Sequence, residues 1–209
     1  MDEIRTKRNE LLAQTVIKGL ESRNMKGYYA NDKVEALQIA LGLIEKDSKV
    51  TMGGSKSVEE IGLKDAVAWG EYNYCDRSKV KDPHEAELFA FDCDYYLGSV
   101  NAITNDGVLI NIDGNANRVS AYAYGPKHLI LIVGMNKVAG DVDAAMKRAR
   151  NTAAVTNAQR FGIVTPCKQT GACMNCKSNE TICCQFLITR FERHADRVHV
   201  ILVNEDLGF

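Results

Sequence analysis

The sequence predicts an α/β domain with a mostly parallel sheet flanked by helices, followed near its end by a cysteine-rich loop. Three observations predict it. Helical apolar spacing alternates with short apolar runs along most of the chain, which is the pattern of helices packed on a sheet. His128–Gly134, HLILIVG, is a continuous apolar run of strand length, as expected for a strand buried on both faces. No repeat, low-complexity tract or linker interrupts the 209 residues, so residues 1–209 read as one domain that includes a cysteine segment at 166–184.

The elements follow in order. Ile4, Leu11, Leu12, Val16 and Leu20 keep helical spacing, so the first twenty-five or so residues read as an amphipathic helix. Gly27–Ala30 is a short strand. Asn31 or Asp32 then caps a helix carrying Val34, Leu37, Ala40, Leu41 and Ile44. KVTMGGS reads as a strand ending in a glycine turn, and Ser57 with Glu60 three residues later predicts a capping box. Asp82-Pro83 opens another helix, with proline in its first turn. Two apolar runs flank Asn105-Asp106-Gly107 and predict a hairpin. A long helix is expected from about Asp141 to Arg160, and QFLITRFE and RVHVILVN read as the last two strands.

Composition limits the function. A hydrophobic fraction of 45% with 25% charged residues is ordinary for a globular protein that buries a core. A formal net charge of -1 gives no electrostatic reason to expect nucleic acid or an anionic membrane as partner. The charged start MDEIRTKRNELL lacks the apolar core of a signal peptide, and no run is long enough to span a bilayer, so a cytoplasmic protein is expected. No GxGxxG follows a strand, which removes the usual flavin or nicotinamide fingerprint.

Ligands of α/β sheets bind beyond the carboxyl ends of strands, and three segments fall there. Gly53, Gly54 and Ser55 precede a helix, where glycine lets a ligand approach the backbone; a plain strand-to-helix turn uses the same residues. Thr104–Arg118 gathers Thr104, Asn105, Asp106, Gly107, Asp113, Asn115, Asn117 and Arg118. Local Asx turns account for the acids, whereas Arg118 suggests a bidentate fork for a carboxylate or phosphate. Asn136 and Lys137 follow the most apolar strand, and Lys137 is a candidate anion ligand. Asn105, Asp106, Asn117, Arg118, Asn136, Lys137 and the Gly53–Ser55 turn are expected to converge in one cleft that binds a small anionic metabolite.

Five of the seven cysteines lie between Pro166 and Cys184. In a reducing compartment such clusters signal metal or redox chemistry. Cys167, Cys173, Cys176 and Cys183 have the spacing C-x5-C-x2-C-x6-C, and thiolates select iron–sulfur clusters or zinc. The spacing favours neither a common ferredoxin run nor paired C-x2-C zinc. A [4Fe–4S] cluster is the expectation and zinc the alternative, with a redox disulfide or inert thiols behind them. Cys75, Cys93 and the strand-leading Cys184 are read as buried thiols, His84 as a surface residue and His128 as a core histidine.

MGGSKSVEEIG, AITNDGVLINIDGNANRVSAYAYGPKHLILIVGMNKV and the ending VHVILVNEDLGF together resemble the LUD-domain, or lactate-utilisation protein, family over nearly the whole chain. The resemblance implies a fold like that of ribose-5-phosphate isomerase, the CoA transferases and glucosamine-6-phosphate deaminase. It also implies a place among proteins that oxidise lactate with iron–sulfur partners, so redox partner proteins are expected and a homo-oligomer is left open. One branch of the family has a cysteine segment matching Pro166, Cys167, Thr170, Gly171, Cys173, Cys176, Ser178 and Cys183. Cys184 stands where that branch favours a polar residue and Thr181 where it favours arginine, so the fourth ligand is Cys183 or Cys184, with Cys183 preferred. The related transferases carry a catalytic carboxylate in an acid–glycine turn, which Asp106-Gly107 resembles, making Asp106 the catalytic candidate. The competing functions are an isomerase or transferase for a phosphosugar or CoA thioester with structural zinc, and a non-catalytic iron–sulfur sensor subunit.

Overall fold

The structure, a computed structural model, describes residues 3–209. Helix α1 (Glu3–Ser22) leads into β1 (Lys26–Ala30), α2 (Lys33–Leu43) and β2 (Lys49–Met52), and then α3 (Lys56–Glu60), α4 (Leu63–Trp69) and β3 (Asn73–Cys75) follow. Next come α5 (Pro83–Asp92), β4 (Tyr95–Gly98), β5 (Ala102–Thr104), β6 (Leu109–Asp113), α6 (Asn117–Ala123) and β7 (His128–Gly134). The chain closes with β8 (Val138–Ala139), α7 (Val142–Arg148), α8 (Val155–Ala158), α9 (Pro166–Thr170), β9 (Gln185–Thr189) and β10 (Val198–Val203).

Six strands form a fully parallel sheet in the order β1-β10-β7-β4-β2-β3. Alternation along its central strands builds two cores. Leu129, Leu131 and Val133 of β7 face α1, α5 and α6, packing with Val16, Leu20 and Tyr122. Ile130 and Ile132 face α2, α3 and α4, packing with Ala36, Ala40, Val58 and Leu63. The buried stripe of α1 is Asn9, Ala13, Val16 and Leu20, so Ile4 and Leu11 lie off it and are exposed.

The hairpin of β5 and β6 forms as expected, but it belongs to a second, four-stranded sheet of order β8-β5-β6-β9. This sheet packs Ala102, Ile110 and Ile112 on Ala145 and Ala149 of the long helical segment. QFLITRFE therefore joins the small sheet, pairing antiparallel with β6, and not the main one. The helix expected near Asp141–Arg160 is continuous but widens into π-helical turns at Ala149–Ala154 between α7 and α8. Asp32 caps α2 and Asp82 caps α5 through their side chains. The cap of α3 is Ser55, not Ser57, because the helix starts two residues earlier than the capping-box pattern places it. Ser57 lies inside the helix, and its hydroxyl turns toward Lys137.

Two glycines allow backbone approaches that a side chain would block. Gly107, at φ +85° in the hairpin turn, packs against the backbone of Gly19 and Leu20 in α1. At Gly98 a Cβ would collide with the Tyr122 hydroxyl, which bonds the Ser99 backbone on both sides, accepting from its N–H (3.0 Å) and donating to its carbonyl (2.8 Å). Gly98→Ala is expected to lower stability by about 1–3 kcal/mol in urea unfolding, the usual cost of overpacking. An unchanged midpoint would mean that Tyr122 moves aside freely.

Candidate functional site

The cleft lies where the topology of the main sheet changes direction. The chain leaving β2 runs through α3 and α4 to β3 on one side, whereas the chain leaving β4 reaches β7 on the other. At such a switch point the two departing loops separate and leave a crevice at the strand ends. Here Gly53–Ser55 and Ser99–Asn101 border a cleft of about 690 Å³. Asp113–Arg118 from the small sheet, Lys137 after β7 and Asn157–Ile163 after α8 contribute further walls. A smaller cavity of about 130 Å³ adjoins it, and Met52, Arg77 and Asn117 line both.

Gly53, Gly54, Ser55, Asn117, Arg118 and Lys137 thus converge as expected. Arg118 is largely engaged inside the protein. Its Nη1 donates to Asn111 Oδ1 (2.9 Å), and its Nη2 donates to the Ile112 carbonyl (2.6 Å) and Asn101 Oδ1 (3.2 Å). The guanidinium also lies 5.3 Å from the Tyr122 ring centre. The fork read as a ligand clamp instead ties the β4–β5 loop to β6 and α6. Asp113 Oδ2 accepts from Arg118 N (3.1 Å) and Val119 N (3.2 Å), which fixes the start of α6.

The cations least committed elsewhere are Arg77 and Arg160. Arg77 has no ion-pair or hydrogen-bond partner among the described residues, and Arg160 has no carboxylate partner, its guanidinium lying over Phe161 and Phe209. Lys64 pairs with Asp76 at 3.9 Å and Lys56 with Glu59 at 3.3 Å. Asp76 is further occupied by the hydroxyl and amide of Ser78, and Glu180 by the amide of Val164. The acids of the cleft are therefore satisfied locally, while two arginines are left facing it.

Lys137 is only 3% exposed. Its Nζ donates to Ser57 Oγ and Ser99 Oγ, both at 2.9 Å. Burial pushes its amine down to about 7; the positive charges of Arg148 and Arg118 push the same way, and Glu60 opposes them.

Thr104, Asn105, Asp106, Gly107 and Asn136 do not line the cleft. The hairpin turn carries Asp106 onto the end of α1, where its exposed carboxylate pairs with Arg23 and accepts from Thr104 Oγ1 at 2.5 Å. The Thr104 hydroxyl and then Arg23 hold that carboxyl below its ordinary range. The Asn105 amide bonds the Ala139 carbonyl, joining β5 to β8. Asn136 accepts from the Leu207 amide at 3.1 Å and pins the chain end. The acid–glycine turn resembling the transferases' is here a surface hairpin tied to α1.

Ser99, Asn101, Arg77 and Arg160 were not among the candidates. Ser99 and Asn101 end a strand, as the crevice rule requires, but the run from Tyr95 to Asp113 reads as a single hairpin and hides that end. Arg77 follows a three-residue strand, too short to recognise.

The cysteine segment forms another wall of the cleft through Asn179, Glu180, Thr181 and Ile182. It is bound to the Asp113–Arg118 loop, since Cys184 N donates to the Asp113 carbonyl at 2.9 Å and Gly114 lies against Ile182. Cys167, Cys173, Cys176 and Cys183 are half-buried, unpaired thiols. Thr165 Oγ1 lies 3.3 Å from Cys167 Sγ, and Arg150 Nη2 donates to Cys173 Sγ at 3.6 Å. Burial first, and then its cysteine neighbours, push the Cys183 thiol up to about 11. Among the described residues no three His, Cys, Asp or Glu side chains are grouped to hold a single metal ion. Thiols are the soft donors that iron–sulfur clusters and zinc both take.

Three readings of single residues change. Cys184 is exposed, and Cys183 packs against the small-sheet core in its place, because the start of β9 faces outward. Cys75 is only half-buried, whereas Cys93 is buried, its thiol pushed up to about 12. His128 is half-buried and stacks on Tyr95 at 4.9 Å between ring centres.

Sheet, switch point and cleft define an α/β domain with a crevice at its strand ends. A family model described as the LUD domain matches residues 13–203, and the chain belongs to the LUD-domain family, a lactate-utilisation type of protein at family level. The crystal structure of a DUF162 family protein from Deinococcus radiodurans shares the fold, with a TM-score of 0.56 at 11% identity over 94% of this chain and 98% of that one. No curated protein matches the sequence. Among the described residues no helix is long and apolar enough to cross a membrane.

Proposed function

We propose that the cleft binds a small hydroxy- or oxo-carboxylate and that Cys167, Cys173, Cys176 and Cys183 hold one [4Fe–4S] cluster beside it, as part of a lactate-oxidising redox system with partner proteins. The observation that carries this reading is the shared wall: residues 179–182 of the cysteine segment line the same cleft as Arg77, Arg118 and Lys137. Arg77 and Arg160 attract the carboxylate. Arg118 holds the Asp113–Arg118 loop in place, and the segment wall shields the ligand from water. A bound cluster supplies one-electron transfer, and the chain carries no dinucleotide fingerprint to supply hydride transfer instead.

Anaerobic purification from iron-replete cells should yield about four irons and four sulfides per chain. Stoichiometric zinc without sulfide would replace the cluster by a structural metal. Lactate or pyruvate at about a hundred times its dissociation constant should stabilise the fold by about 2.7 kcal/mol. Arg77→Ala should weaken that binding by about tenfold, or ~1.4 kcal/mol, while changing stability by no more than about 0.5 kcal/mol, as expected of an exposed side chain without partners. Equal affinity in wild type and variant would place the carboxylate away from Arg77.

A further inference from the structure

We propose that Ser99 and Lys137 form a nucleophile–base pair that cleaves a small carboxylic ester or thioester through an acyl-serine. A buried lysine ordinarily pairs with a carboxylate. Both hydrogen bonds of Lys137 go instead to serine hydroxyls, Ser57 and Ser99, each at 2.9 Å. Both serines line the cleft, but Ser57 is 1% exposed whereas Ser99 is half-buried, so Ser99 is the hydroxyl open to a substrate. The attacking oxygen is therefore Ser99 Oγ, and Ser57 is a positioning residue. Tyr122 holds the Ser99 backbone by its N–H at 3.0 Å and its carbonyl at 2.8 Å, so the hydroxyl is presented from a fixed main chain.

An oxyanion donor lies two residues on. Asn101 Oδ1 accepts from Ile112 N (2.8 Å) and Arg118 Nη2 (3.2 Å), which turns its NH2 group away from both. That NH2 has no acceptor among the described residues, and Asn101 lines the cleft. A carboxamide so held can donate to the negative oxygen of a tetrahedral intermediate.

The step balances without a further reactant. Ser99 Oγ–H gives its proton to the Nζ lone pair of neutral Lys137 as Oγ bonds the acyl carbon. The C–O or C–S bond to the leaving group breaks, and the leaving group takes the proton from Lys137. Water, deprotonated by the same amine, then attacks the acyl-serine and releases the acid, leaving Ser99 and Lys137 as they began. Burial keeps enough of the amine neutral near pH 7 for this role, with Arg148, Arg118 and Glu60 the charged groups that bear on it. The inference rests on the carboxylate cleft proposed above only for the charged end of the substrate.

A neutral probe tests the pair alone, so failure of the carboxylate reading leaves this outcome unaffected. Diisopropyl fluorophosphate added to the full-length protein should form a single adduct, located on Ser99 by peptide mass analysis. The labelling rate should rise with pH through a midpoint near the value of about 7 to which Lys137 is lowered, and then level off. Ser99→Ala should lose the adduct, and Lys137→Met should slow labelling by roughly 100-fold. Absence of an adduct, or an adduct elsewhere, overturns the proposal. Should Lys137→Met fail to fold, the wild-type profile decides, because a rate independent of pH between about 6 and about 9 removes Lys137 as the base.

Discussion

Arg197→Met is expected to cost about 3–5 kcal/mol of stability, the cost of breaking a buried ion pair by removing one partner. Arg197 and Glu192 are 8% exposed each and bond at 2.9 Å. The remaining guanidinium donors reach the carbonyls of Tyr122 (3.0 Å), Ala121 (3.2 Å) and Pro126 (3.1 Å). Glu192 in turn accepts from His194 N at 3.0 Å, and its own amide donates to the Arg23 carbonyl at 3.0 Å. The pair thus ties the end of α6 and the loop before β7 to the turn after α1. Methionine keeps the bulk but strands a buried carboxylate and three carbonyls. Against a typical total of about 5–15 kcal/mol, that loss brings the domain close to unfolding at ordinary temperatures. Adding Glu192→Gln should recover part of it, because the stranded charge is then gone. Urea unfolding of the single and double variants checks both, and a loss below about 1 kcal/mol would show that water reaches the site and solvates Glu192.

Much of the main sheet was legible because its signals are local. β7 and β10 are apolar apart from His128 and His199, as expected of strands buried on both faces, and Asp32 and Asp82 announce their helices by side-chain caps that need no tertiary context. The second sheet was not legible in that way. β9 pairs with β6 from more than seventy positions away, and Phe186 and Ile188 face outward, so alternation there marks a strand without naming its sheet. In the candidate site, residue type and strand-end position were enough to find Gly53–Ser55, Asn117, Arg118 and Lys137. They were not enough to separate Asp106 from them, because the hairpin turn carrying Asp106 belongs to the small sheet and points at α1. Nor could they show that Arg118 spends its fork on Asn101, Asn111 and Ile112, since those partners come from two other segments. In the sequence Lys137 is marked by its charge alone, whereas burial of its amine is the more informative property.

Cys183→Ser is expected to abolish the visible absorbance and EPR signal of the cluster, whereas Cys184→Ser keeps both. Cys183 is half-buried against the small-sheet core, and its thiol is raised first by that burial and then by Cys173, Cys167, Cys176 and Cys184. Cys184 is exposed, and its thiol donates to the Thr181 carbonyl at 3.5 Å. The expected loss extends beyond colour. Between Pro166 and Cys184 the one regular element is the five-residue α9, and Ala172 and Met174, the apolar side chains around the C-x2-C turn, are exposed. So little burial cannot offset the roughly 1–2 kcal/mol per residue of backbone entropy lost on ordering the segment. In the proposed cluster, metal–thiolate bonds would supply the difference and couple cluster binding to the folding of this stretch. Residues 179–182 of the same stretch wall the cleft, so the Cys183→Ser protein should also lose protection of those amides in hydrogen exchange and bind lactate or pyruvate about tenfold more weakly, ~1.4 kcal/mol. Loss of the signals in Cys184→Ser with retention in Cys183→Ser would make Cys184 the fourth ligand. Retention of both signals in both variants, with unchanged exchange at residues 179–182, would remove the cluster from this segment altogether.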